Sequence, residues 1–346
     1  MLENNTLEKL KEKKELWDIF TKKEEYEPSF LDKYGRFPHY LSNHRDVFFP
    51  IISEYLIENG FRPKYPDGKK FAVCLTHDID VVHQGYLGCA FYSIKSAIKG
   101  NFMEAIKYPI YAINKQHHPY RNFREIMDLE EKYGATSSFY FLALEPGEKD
   151  YTYNIQSLKD ELKYIDSRGW DIGLHGGHES YNNYEDLIKK KEKLEKTLGK
   201  KVVGYRNHFL RFKTPETWEL LSKAGFKYDT TFGYSDCVGF RNGMCHPFKP
   251  FNLKTNNEID ILEIPMTIMD CTLLRDYMKL DIKDSWKLTK NLIDTVEKYN
   301  GVITILWHNT YMQAENLAFY EKILMYCHDK NAWMTSGKEI YECCSK

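Results

Sequence analysis

The 346-residue sequence has no CxxC pair among its eight cysteines, which are scattered apart from the adjacent Cys343 and Cys344. A zinc ribbon built on paired thiolates is therefore excluded, and reduced thiols are the expectation. No window reaches the roughly 18 apolar residues that a membrane-spanning helix needs. The opening segment, MLENNTLEKLKEKKELWDIF, lacks an apolar core and a small-residue cleavage site, so a cytoplasmic protein is expected. Excess charge is missing too: 49 basic and 50 acidic residues leave a net charge of -1. Such a chain has no global field that would draw it to nucleic acid.

Aromatic residues, by contrast, make up 15% of the chain, with 26 Tyr and 20 Phe. They suit a packed core and equally suit sugar rings stacked on exposed faces. Residues 1–70 read as a helical N-terminal extension: a charged helix from about Leu7 to Glu25, a polar stretch, and a helix begun near Pro50 and ended at Gly60. From Phe71 onward one rhythm repeats, in which an amphipathic helix stops at Gly or Asn and a short apolar run follows. The joins are EKYG-ATSSFYFL, DSRG-WDIGL, TLGK-KVVGYR, SKAG-FKYDTT, KYNG-VITILW and HDKN-AWMTS. The intervening helices keep apolar stripes, as in Leu158, Leu162 and Ile165 or Leu288, Leu292 and Val296, and Thr214-Pro215 reads as an N-cap with Pro at the first helical position.

With FAVCLT (71–76) and IDILEIP (259–265) added, seven or eight short strands alternate with helices, which argues for an α/β fold with a parallel sheet. A deformed, TIM-like (β/α) barrel over residues 71–346 is the expectation, and an open doubly wound sheet is the alternative. A helical insertion interrupts it at about 84–120. Its stretch from Tyr86 to Ile113 mixes apolar residues with Lys95, Lys99 and Lys107. It is expected to pack on the barrel, with peripheral membrane contact as the lesser alternative. His117 and His118, in a polar segment, read as solvated.

In such a barrel the working groups follow the strands. The first strand leads into Thr76-His77-Asp78-Ile79-Asp80, the third into His175-Gly176-Gly177-His178, the fourth into Arg206-Asn207-His208, and a late one into His308. Glu263 and, beyond it, Asp270 follow the sixth. Asp78 and Asp80, two apart on an extended segment, crowd their charges on one side and call for a cation or an Arg. One carboxylate, two His and a place for water form the donor set of catalytic zinc, leaving the other carboxylate free as a base.

These residues resemble the motifs of the polysaccharide deacetylases, carbohydrate esterase family 4 with its NodB homology domain, over roughly residues 71–340. LTHDID is similar to the first motif, LHGGH to the second, GYRNHF to the third and ILWH to the last. The resemblance implies Asp78 as catalytic base, Asp80, His175 and His178 as metal ligands, Arg206 as the partner of the base, and His308 as general acid. It also implies a divalent ion, zinc first, with Co2+, Ni2+ or Mn2+ as alternatives, and a carbohydrate substrate from which N-acetyl groups are removed. His175 and His178 stand three apart where the family spacing is four, and His208 replaces the family's Pro, which makes it a further candidate ligand. Glu263 and Asp270 are candidates for the degenerate fourth motif. Arg241, within the segment Gly239–Asn252, is carried as a further site candidate. A hydrolase of small non-peptide amides and an inactive carbohydrate-binding barrel are the rival readings, and the oligomeric state is open.

Overall fold

The computed structural model describes residues 4–98, 100, 102–114 and 118–345. The extension holds α1 (Asn4–Lys11), α2 (Lys14–Phe20) and α3 (Ile51–Glu58). The single helix expected up to Glu25 is thus broken. The break falls in the run Lys11–Glu15, which offers no apolar side chain to bury, whereas Leu7, Leu10 and Phe20 on either side join the main core. Buried ion pairs fasten the extension to the barrel. Arg241 donates to both carboxylate oxygens of Glu25, at 2.9 and 2.7 Å, and Lys22 donates to Ser42 and Tyr234.

The barrel strands are β1 (Ala72–Ile79), β2 (Ser138–Leu142), β3 (Asp171–Gly176), β4 (Gly204–Asn207) and β5 (Tyr228–Asp229). A short hairpin, β6 (Phe251–Asn252) and β7 (Asn257–Glu258), precedes β8 (Leu262–Glu263), β9 (Met266–Met269), β10 (Val302–Leu306) and β11 (Trp333–Thr335). The order is β8-β5-β4-β3-β2-β1-β10-β9, with every ladder on this path parallel and β11 paired to the start of β1. This is a deformed (β/α) barrel. Among the described residues no ladder joins β8 to β9, so the ring is curled rather than closed.

Around it run α6 (Phe123–Lys132), α7 (Lys159–Ser167), α8 (Tyr184–Leu198), α9 (Glu216–Lys223), α10 (Ile282–Lys298), α11 (Ala314–Asp329) and α12 (Gly337–Cys344). At each of the six joins the terminating residue, Gly134, Gly169, Gly199, Gly225, Asn300 or Asn331, has a φ between +54° and +87°. That left-handed turn lets a helix stop and a strand start at once. The expected cap at Thr214 is absent: its hydroxyl donates to Glu25, and α9 begins after Pro215.

The insertion forms two helices, α4 (Tyr86–Ile98) and α5 (Phe102–Ile113), which pack chiefly on each other and not, as expected, on the barrel. Their apolar stripes face outward. His117 lies outside the described residues; His118, expected to be solvated, is buried, and the Gln84 N–H donates to its Nε2.

Candidate active site

Alternation along β1 sorts its residues between two faces. His77 points outward into a buried network in which Nδ1 meets the Trp307 carbonyl at 2.6 Å and Nε2 meets Glu130 at 2.8 Å. Thr76 and Asp78 point inward, and Asp80 follows just past the strand end. Asp78 is buried, with its Oδ1 3.5 Å from Arg206 Nη1. Arg206, fully buried on β4, donates from Nε to Thr230 and from Nη2 to Thr76, and stacks over the Tyr140 ring. These bonds fix the guanidinium so that its positive charge faces Asp78.

Three donor atoms converge beside this pair. Asp80 Oδ1 lies 3.1 Å from His175 Nε2 and 3.3 Å from His208 Nδ1, and the two imidazole nitrogens are 3.1 Å apart. His175 Nδ1 faces the Arg206 carbonyl at 3.0 Å, which must accept its proton, so Nε2 presents a lone pair. Burial would raise the Asp80 carboxyl, but His208 and His175 outweigh it and hold it well below its usual range. The His175 imidazole is lowered by burial and raised further by Asp78 and Asp80, for a net upward shift. Donors about 2.0–2.1 Å from a tetrahedral ion stand about 3.3 Å apart, so the set fits a divalent cation. Asp80 Oδ1 and Asp78 Oδ1 are buried oxygens without a hydrogen-bond partner, as expected where a cation or water belongs.

His178, the expected third ligand, lies outside this cluster: its Nε2 faces Lys149 Nζ at 3.0 Å and its Nδ1 lies 3.7 Å from Asp150. The two glycines before it explain the direction. A Cβ on Gly176 would stand 2.0 Å from Tyr205 Oη, and one on Gly177 would stand 2.6 Å from Lys190 Cε. The backbone is pressed against these side chains and carries His178 away from Asp80, and His208 supplies the third donor instead.

Opposite the cluster, His308 follows β10. Asp270 accepts from its backbone N–H at 2.6 Å and from its Nδ1 at 2.7 Å, which aims Nε2 at Asp80 Oδ2, 3.6 Å away. Burial lowers the His308 imidazole, but Asp270, then Asp80 and Asp78, push it up to about 10. Asp270 is therefore part of the site. Glu263 is not, because it is buried beside it, accepting from Trp218 Nε1 at 2.7 Å, where burial and Asp229 raise its carboxyl well above the ordinary range. Arg241 is not either; it clamps Glu25.

The cleft has a volume of about 510 Å³ and is lined by Asp78, Asp80, His208 and His308 together with residues that sequence reasoning did not single out. Lys33, Tyr34 and Arg36 come from the extension, and Arg275, Asp276, Tyr277 and Tyr311 from loops after β9 and β10. Arg36 ties that wall together, donating to the Phe209 carbonyl and to Tyr277 Oη. Asp150 was missed as well. At φ +65°, it sits 3.8 Å from His208 Nε2, behind the donor nitrogen. The strand-end rule applied to β2 reaches Glu145, Glu148 and Asp150 alike, with no signal to choose among them.

Comparisons with protein-family models and with curated proteins found no match. Two solved structures share the architecture. One, a Mycobacterium smegmatis protein described as a polysaccharide deacetylase, aligns with a TM-score of 0.56 at 16% identity over 81% of this chain and 93% of its own. The other, from Pseudomonas aeruginosa PAO1 and described in the same terms, aligns at 0.55 and 13% over 92% and 97%. The chain has their fold.

Proposed function

We propose that this chain is a metal-dependent hydrolase that removes N-acetyl groups from an amino sugar in a polysaccharide, surface glycan or glycan precursor. The observation that carries the reading is the meeting of Asp80 Oδ1, His175 Nε2 and His208 Nδ1 within 3.3 Å, between Asp78 and His308. The two fold neighbours described as deacetylases make an N-acetyl sugar amide the first substrate class to test.

A divalent cation held by Asp80, His175 and His208, zinc first for this donor set, would polarise the amide carbonyl and acidify a bound water. Asp78, with one carboxylate oxygen 3.5 Å from Arg206, accepts the water's proton. His308, whose Nδ1 is held by Asp270 and whose Nε2 faces the cluster, carries a proton for the departing amine. Asp270 holds that ring in place. Tyr277, the most exposed of the tyrosines that line the cleft, offers a ring on which a pyranose can stack.

Acetate release from N-acetylated amino-sugar oligomers by the zinc-loaded protein tests the proposal. Asp78→Asn should lower turnover by about 10²- to 10⁴-fold, the range for a lost general base, while the metal stays bound. Normal turnover in that variant removes Asp78 as base, and release of no acetate by the loaded wild type removes the deacetylase reading.

A further inference from the structure

We propose that the α4–α5 hairpin is a docking surface for an anionic lipid bilayer. Along α4, Leu87, Phe91, Ile94 and Ile98 recur at intervals of four, three and four; along α5, Phe102, Ile106, Ile110 and Ile113 do the same at four, four and three. These spacings place each set on one helix face, and both faces are exposed, with Leu87 at 89%, Ile98 at 81% and Ile113 at 82%. Soluble helices turn such stripes inward. Here the helices meet through small residues, with Ser93 donating to the Ala105 carbonyl and both Cys89 and Ala105 buried.

Two contiguous apolar stripes of this size mark an interaction site. Charge selects its occupant. Residues 86–115 carry Lys95, Lys99, Lys107 and Lys115 against Glu104 alone, a local charge of +3 in a chain whose total is -1. Basic residues beside apolar stripes on two short helices match the surface of a bilayer with anionic headgroups, where such helices lie flat with their apolar faces among the upper acyl chains. At 13 and 12 residues, neither helix is long enough to span.

The hairpin is also tied to the rim of the candidate site. Asn309, next to His308, donates from Nδ2 to the carbonyls of Val81 and Tyr120, one on each leg, at 2.8 and 2.6 Å. Gln84 Nε2 bonds Tyr120 Oη at 2.9 Å across the base. Docking would therefore bring the cleft's rim close to the bilayer.

Flotation of the full chain with vesicles of phosphatidylcholine alone, and with about one-third phosphatidylglycerol, tests this. Wild type should float with the anionic vesicles and bind them at least about tenfold more strongly than neutral ones, less so as salt rises. The triple variant Leu87→Glu, Ile94→Glu, Ile106→Glu should lose this binding and keep its unfolding temperature, since all three side chains are exposed. Wild type that stays unbound, or a variant that floats as well as wild type, overturns the proposal. A self-association abolished by the triple variant, in a protein that binds no vesicles, assigns the face to a second copy and overturns it as well.

Discussion

His208 turns Nδ1 toward Asp80 and sets Nε2 3.8 Å from Asp150, so one imidazole faces the donor cluster on one side and a half-buried carboxylate on the other. His178 meets a lysine ammonium instead, an arrangement that opposes ligation by the same ring. Purified protein should carry about one divalent ion per chain by elemental analysis. His208→Ala and His175→Ala should lose it, whereas His178→Ala should retain it. Retention in His208→Ala with loss in His178→Ala would restore the second-motif pair as the ligands. Spacing could not settle this beforehand, because an HxxH separation fixes the distance along the chain but not the direction the backbone takes after Gly176 and Gly177. Asp78, Asp80, His175, Arg206 and His308 were legible because each stands at a strand end, where side-chain direction follows from alternation. Asp150 was not, since its approach depends on one left-handed residue in a long loop.

At the scale of elements, the barrel was readable from its joins: a helix that ends in Gly or Asn and runs at once into an apolar segment has little room for any other course. What local pattern leaves undetermined is how elements lean on one another. The outward apolar stripes of α4 and α5 have the same spacing as inward ones, and no residue within 1–70 announces that Tyr34 and Arg36 will wall the cleft. That docking depends on Glu25, whose carboxyl is raised by burial and lowered further by Arg241 and Lys22, for a net downward shift. Arg241→Ala leaves a buried carboxylate short of its two-pronged partner and should cost about 3–5 kcal/mol in urea unfolding. The paired change Glu25→Leu with Arg241→Met removes both charges and should recover much of that loss. A cost near zero for Arg241→Ala would mean that the extension is not fastened here.

The stability of the whole molecule should respond to pH through histidines buried as neutral rings. His246 lies in the core with the Tyr299 carbonyl 3.0 Å from Nε2 and Ser53 Oγ 2.9 Å from Nδ1, so the neutral imidazole can donate to the carbonyl and accept from the hydroxyl. Burial pushes it from the usual 6.5 to about 4, despite the upward pull of the Tyr299 carbonyl. The unfolded chain therefore takes up a proton that the folded chain refuses. The contribution is fully present above pH 6.5 and is lost as pH falls toward 4, amounting to roughly 3 kcal/mol. Within this window His118, also pushed to about 4 by burial, and His44 and His178, both lowered, act in the same sense. His175 and His308, both raised, lose their contributions above pH 6.5, and Asp80, which is lowered, loses its own below about 4. The raised carboxyls of Asp171 and Glu263 act in the opposite sense within it, so the comparison must be with a variant rather than with a flat line. His246→Gln keeps a donor and an acceptor but cannot titrate. It should be less stable than wild type at pH 7.5, and the gap should narrow as pH falls from 6.5 to 4.5 in urea unfolding. A gap that stays constant would show that His246 accepts its proton without loss of packing and that the acid limb has another origin.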